Sequence, residues 1–224
     1  MTLGSLIAQG GPVMVVLLAL SVIATAIIVL KAAELLRLRL AARGTLEAMS
    51  GLLAEDREAE ARELLASSRH PIARAVRTAL TVAADGHVGA ASAQAEVQRV
   101  GNAEVRALES WLRGLSAIGH LSPLLGLLGT VLGMIAAFMS IENAGPRVDP
   151  AVLSGGIWEA LLTTAFGLTI AIPCMAAFYL FEGEIDRIRA IMRDECSGVL
   201  LRHGKLATSA LEEGPAQREQ AFGV

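Results

Sequence analysis

The run Gly114–Ile141, GLSAIGHLSPLLGLLGTVLGMIAAFMSI, contains no Asp, Glu, Lys or Arg. A helix needs about 20 apolar residues, rising 1.5 Å each, to cross roughly 30 Å of hydrocarbon. This run is long enough. At about 100° per residue, Gly119, Ser122, Gly126, Gly129, Thr130, Gly133, Ala137 and Ser140 fall within one arc of about 100°. The rest of the helix is large and apolar, with Leu121, Leu124, Leu127, Leu128, Val131, Ile135, Phe138 and Met139. A stripe of small residues on a membrane helix lets another backbone approach closely, and Gly129 to Gly133 is a GxxxG. The stretch reads as a membrane helix with one face shaped for a close neighbour.

Two further runs extend this reading. Thr2 to Leu30 carries no charge, and Val13 to Leu30 is apolar apart from Ser21 and Thr25; Pro150 to Phe181 is interrupted only by Glu159. An all-α integral membrane protein with three transmembrane helices follows, over 13–30, 119–141 and 156–181. The composition agrees: 54% of residues are hydrophobic, 18% charged and only 4% aromatic, which favours aliphatic membrane helices over an aromatic-rich β-sandwich core. Ala24-Thr25-Ala26 resembles a small-residue signal cleavage site, but signal peptides place positive charge before the apolar stretch, and here Lys31, Arg37, Arg39 and Arg43 follow it.

Counting the basic residues by segment orients the spans. None lies in 1–30, 12 lie in 31–118, one (Arg147) in 142–155 and six in 182–224. The positive-inside rule then predicts a periplasmic N-terminus (1–12), a cytoplasmic segment (31–118), a periplasmic loop (142–155) and a cytoplasmic tail (182–224). The 31–118 segment is rich in Ala, Leu, Glu and Arg and predicts helices rather than strands. Pro71 pushes His70 out of the helical region, and Asp85-Gly86-His87-Val88-Gly89 is a turn signal. Helices are therefore expected near 31–50, 55–67 and 71–84, then as a single rod over 90–141. Span three is expected to continue past Phe181, because Ile185, Ile188, Met192 and Val199 keep helical spacing. Residues 204–224 are polar, with Gly and Pro, and are expected to fray.

The same residues argue against several functions. A formal net charge of -3 lacks the basic excess that nucleic-acid affinity requires. Cys174 and Cys196 offer neither a disulfide framework nor zinc spacing, and the four His, at 70, 87, 120 and 203, are not paired at i, i+4. No P-loop, HExxH, GxSxG or GxGxxG pattern occurs, so neither an enzyme nor a cofactor is expected.

Span three repeats the design of span two: Gly156, Ala160, Thr163, Thr164, Gly167, Ala171 and Cys174 share an arc of about 100°, with Glu159 about 40° beyond its edge. Two such stripes either face one another or line a narrow cavity. Measured from outer ends near Ile141 and Gly155, Thr130 and Thr164 lie roughly 14 to 16 Å down their spans, at one level near mid-membrane. A lone threonine there usually bonds back to its own i−4 carbonyl. Glu159, about 6 Å below the outer end, is either an interfacial carboxylate near a helix N-terminus or part of an ion path. Pro173 frees a backbone carbonyl in the inner half of the span.

Pro123-Leu124-Leu125-Gly126-Leu127-Leu128-Gly129-Thr130-Val131, continuing Gly133-Met134-Ile135 and Ala137-Phe138, resembles the ExbB/TolQ/MotA family of proton-channel subunits. So does Glu159-Ala160-Leu161-Leu162-Thr163-Thr164-Ala165, followed by Gly167-Leu168 and Ala171-Ile172-Pro173. His120 and Ser122 depart from the small apolar residues the family pattern leads one to expect. The resemblance implies a bacterial inner-membrane homopentamer whose second and third spans line a pore around the single spans of an ExbD- or TolR-like dimer. It implies that the partner supplies the proton-carrying Asp, that Thr130, Thr164 and Glu159 form the proton pathway, and that Gly126, Gly129, Gly133, Thr163, Gly167 and Pro173 serve pore or helix packing. Proton flow would then drive a TonB- or TolA-like periplasm-spanning protein. The competing expectation is a non-conducting membrane scaffold whose stripes serve only oligomer packing.

Overall fold

Long stretches without helix breakers become long helices. The structure, a computed structural model, describes residues 11–55, 57–144 and 150–204. They form six helices: α1 (Gly11–Ala54), α2 (Glu58–Ala66), α3 (Pro71–Ala84), α4 (Ala90–Leu108), α5 (Leu112–Ala144) and α6 (Pro150–Arg202). No strand occurs among the described residues. Three helical stretches, Gly11–Leu40, Leu112–Glu142 and Leu153–Arg202, are long and apolar enough to cross a membrane. The breaks expected at His70-Pro71 and at 85–89 fall where the sequence puts them, and α6 runs well past Phe181. The tail beyond residue 204 and the centre of the 142–155 loop lie outside the described residues.

One expectation fails. The rod predicted over 90–141 is two helices, because α4 ends at Leu108 and α5 begins at Leu112. Glu109 N–H turns back to the carbonyls of Val105 and Ala107, and Trp111 takes φ 68. The left-handed region costs an L-residue roughly 1–2 kcal/mol, so sequence reasoning looks for Gly or Asn there, and Glu109-Ser110-Trp111 contains neither. Leu115 N–H bonds to Trp111 O and starts the new helix.

The described residues fall into two units. The first comprises Met1–Glu34 and Trp111–Glu182. On α1 the residues Val13, Leu17, Ala24 and Ile27 keep helical spacing, and they bury against Leu115 and Ile118 of α5 and Ile170, Cys174 and Ala177 of α6. Leu125 and Phe166 pack on the edge of this cluster. The outward faces stay apolar, with Leu124, Leu128, Ile135, Phe138 and Leu161 exposed, as suits a surface solvated by lipid or by other apolar chains. Lys31, almost wholly buried, holds Glu34 at 2.7 Å.

The second unit comprises Leu35–Ser110 and Gly183–Val224. Here charged residues alternate with a helical apolar stripe, so Ile72, Val76 and Leu80 of α3 bury beside Val97 and Val105 of α4, while Ile185, Met192 and Val199 of α6 also bury. Gly101 admits Met192, whose Sδ would stand 3.3 Å from an added Cβ. Ion pairs dress the surface, Arg39 with Glu184 at 2.5 Å and Arg74 with Glu104 at 2.9 Å. Solvent screening of the exposed arginines keeps pairs of this kind weak.

His70 caps α3 in a pH-dependent way. Its Nδ1 accepts the Ile72 N–H at 3.2 Å, and burial holds its pKa below the usual histidine value. Protonation abolishes that acceptor. The unfolded chain, titrating near 6.5, binds more protons than the folded one below that pH, so this unit's stability is complete above about pH 6.5 and declines as pH falls towards the depressed folded value. Amide exchange over 71–80 should accelerate between pH 7 and 5.5 beyond its intrinsic pH dependence. His70→Asn, which keeps a capping oxygen, should remove that excess; an unchanged excess in this variant would contradict the cap.

Candidate functional site

The small stripes predicted on spans two and three are spent on each other. A Cβ built on Gly129 would stand 2.7 Å from Thr163 Cβ, with the Thr163 hydroxyl closer still. One on Gly126 would stand 2.9 Å from the Thr163 carbonyl oxygen, one on Gly133 3.1 Å from Ala160 Cβ, and one on Gly167 2.5 Å from the Ser122 carbonyl oxygen. Gly156 meets Ala137 in the same manner, at 2.5 Å. Numbers rise on α5 as they fall on α6, so the two helices are antiparallel and nearly in backbone contact. Of the two alternatives open in the sequence, facing each other or lining a cavity, the small stripes take the first.

Hydroxyls on the helices of this unit mostly bond back to their own helix. Thr25 donates to Ser21 O, Ser122 to Ile118 O, Ser140 to Ala136 O and Thr169 to Ala165 O, each four residues back. Thr130 donates to Leu127 O at 2.6 Å. Thr164 differs, since its Oγ1 donates across to Gly126 O on α5 at 3.0 Å. Thr163, fully buried, donates to Ala160 O at 2.7 Å and lies 3.3 Å from the same Gly126 oxygen. By the i to i−4 pattern of the helix, Gly126 O also takes the Thr130 N–H. One carbonyl therefore joins Thr130 and Thr164, whose side chains share no hydrogen bond of their own.

The depth reasoning is close to the observed register. Thr130 falls between the Gly129–Thr163 and Gly133–Ala160 contacts, opposite residue 162, so Thr164 stands about two residues, or ~3 Å, further in. Both threonines are half-buried. Around α6, Thr164 lies roughly 120–160° from Phe166, Ile170 and Ala177 and about 80° from Cys174, residues in or against the cluster shared with α1. Thr130 stands on the corresponding side of α5, roughly 120–140° from Ile118 and Leu125 and about 60° from Leu115. The two hydroxyl residues thus share the edge of the α5/α6 pair turned away from α1.

Glu159 does not share that edge. It is half-buried, one to two turns outward, and about 140° round α6 from Thr164. It lies in line with Phe166 and Ile170, within about 20°, on the side that faces α1 deeper in. Pro173 sits exposed within an unbroken α6, so it frees the Thr169 carbonyl without ending the helix. The contribution of Gly126 O was missed, because a backbone acceptor leaves no mark in side-chain pattern. The doublet Thr163-Thr164 was the available signal: two adjacent hydroxyls on the small stripe both reach the one Gly126 oxygen, at 3.3 and 3.0 Å. Among the described residues no group of three or more His, Cys, Asp or Glu could hold a metal.

Comparison with known proteins gives this site its context. The profile of the MotA/TolQ/ExbB proton channel family matches residues 67–194, more than half of the 224-residue chain. The chain is similar to biopolymer transport protein exbB1 of Vibrio cholerae, 47% identical over 81 residues, which is 36% of each chain. It is also similar to ExbB of Salmonella typhimurium, 40% identical over 87 residues (39% of this chain, 35% of the relative), and to Tol-Pal system protein TolQ of Haemophilus influenzae, 39% identical over 87 residues (39% and 38%). The chain spans little more than a third of the length of these relatives. Residues 67–194 contain α5 with Thr130, the part of α6 that carries Thr164, and the carbonyl that joins them; with them, the chain belongs to the MotA/TolQ/ExbB proton channel family.

Proposed function

We propose that the chain is an inner-membrane proton-channel stator subunit. With an ExbD/TolR-like single-span partner it couples the proton motive force to a TonB/TolA-like periplasm-spanning protein, for outer-membrane transport or envelope integrity. Family membership supports the general role in energy transduction. The observation that carries the local assignment is the edge shared by Thr130 and Thr164, turned away from α1 and joined through Gly126 O. In a homopentamer closed along that edge, the hydroxyls line a path with no acid of their own at mid-depth. Hydroxyls relay a proton but do not hold one at neutral pH, so the mid-membrane acid comes from the partner chain. Glu159, nearer the outer end, is proposed as a carboxylate of the outer mouth, although it stands about 140° round α6 from the threonine edge. The work done is transport and force transmission rather than catalysis of a covalent reaction.

A second reading has an observation in its favour. Because the stripes pack on each other and Thr130 bonds within its own helix, a non-conducting scaffold would use the same contacts. Thr130→Val separates the two. It removes a hydroxyl whose bond is local, so the oligomer purified in mild detergent with its bound partner should keep its size and melting temperature. Proton flux of that complex in liposomes should fall at least about tenfold if the hydroxyl lines the path. Unchanged flux with intact assembly would favour the scaffold.

A further inference from the structure

We propose that His120 is the inner titratable step of this path, taking up and releasing the proton on the cytoplasmic side of Thr130. The inference deepens the function proposed above and rests on it, including its orientation.

The ring is held in one tautomer. His120 Nδ1 lies 2.8 Å from Ser116 O and 3.4 Å from Ser116 Oγ. A carbonyl oxygen only accepts, so Nδ1 carries the hydrogen and the neutral ring keeps its lone pair on Nε2. The side chain is exposed in the single chain. Round α5 it stands about 140–200° from Leu115, Ile118 and Leu125, which pack towards α1, and about 80° from Thr130. It therefore lies on the side of α5 turned away from α1, ten residues or ~15 Å inward of Thr130. A titratable ring within a span is costly against lipid, and by default marks a wet or protein-lined surface.

The neighbouring charges leave this role to one group. At the inner end of the unit stand Arg113 on α5, Glu182 on α6, and Lys31 with Glu34 on α1, the last two paired with each other. Between these and the outer carboxylates Glu142 and Glu159, α5 and α6 offer only His120, Cys174 and Tyr179 as titratable groups. Of these side-chain types, imidazole is the one suited to exchanging protons around neutral pH. A proton reaching Nε2 makes an imidazolium with both nitrogens protonated, and its loss from Nε2 to water restores the starting tautomer while Nδ1–H stays on Ser116 O. No other co-reactant is needed.

The test uses the complex in inverted membrane vesicles, where the cytoplasmic side faces the bath, with proton flux followed as bath pH is stepped from 5.5 to 8. The wild type should show a sigmoidal change in flux within this range. His120→Gln should abolish that sigmoid and lower flux at pH 7 by about tenfold or more. In His120→Ala, added imidazole should restore flux, which a structural role would not allow. A wild-type flux without a midpoint in this range overturns the proposal without any variant. So does a His120→Gln profile that matches the wild type, while leaving the channel itself standing. Absence of wild-type flux above that of Thr130→Val would instead sink the channel reading.

Discussion

Gly129→Ala is expected to separate α5 from α6 and to collapse proton flux together with the oligomer. The added methyl would fall inside van der Waals reach of the Thr163 side chain, where Cβ to Cβ is 2.7 Å. Thr163 cannot give way, because it is fully buried and its hydroxyl is committed to Ala160 O. Overpacking in a filled interface costs about 1–3 kcal/mol, and a collision with a Cβ rather than a flexible tip belongs at the upper end. A fall in melting temperature and a loss of the oligomer peak in detergent would register it. Two controls sharpen the result. Gly114→Ala and Gly183→Ala place a methyl in open space and should change neither quantity, while Thr163→Gly added to Gly129→Ala should recover most of the loss. Equal damage from all three single alanines would show that helix crowding is not the cause.

The second large effect is functional. Thr164→Val should remove most proton flux while Thr164→Ser keeps it, since serine can still donate to Gly126 O. Interhelical hydrogen bonds in membranes average about 0.6 kcal/mol and reach about 1.7, so the valine variant should lose some stability, far less than Gly129→Ala. The comparison with Thr130→Val is informative because that variant has no interhelical bond to lose. If both valines abolish flux and only Thr164→Val lowers the melting temperature, conduction and packing have been measured separately at two residues joined by one carbonyl. Full flux in both would remove the hydroxyls from the path.

The bilayer explains why much of this was legible in the sequence. A span must be apolar for its whole length and satisfy its backbone within itself, so Gly114–Ile141 and Pro150–Phe181 declare helices by charge alone, and their small residues declare a close neighbour. The closing of the shorter helices at His70-Pro71 and at Gly86 was legible for a similar reason, since proline and glycine act locally. The break at Trp111 was not, because its backbone costs energy that the residue type does not advertise and that the surrounding packing must repay. The bond from Thr164 to Gly126 O was hidden too. Side-chain spacing can bring two helices together, but the acceptor is a peptide group that every residue carries.

That crowded carbonyl has a consequence outside energetics. Each hydrogen bond accepted by a C=O weakens it and lowers its stretching frequency. Gly126 O receives the Thr164 hydroxyl at 3.0 Å, has the Thr163 hydroxyl at 3.3 Å, and takes the helical N–H of Thr130. A single isotope-labelled carbonyl at Gly126 would thus be a built-in vibrational gauge at mid-membrane. Its band reports, in one number, how the threonine hydroxyls share that oxygen.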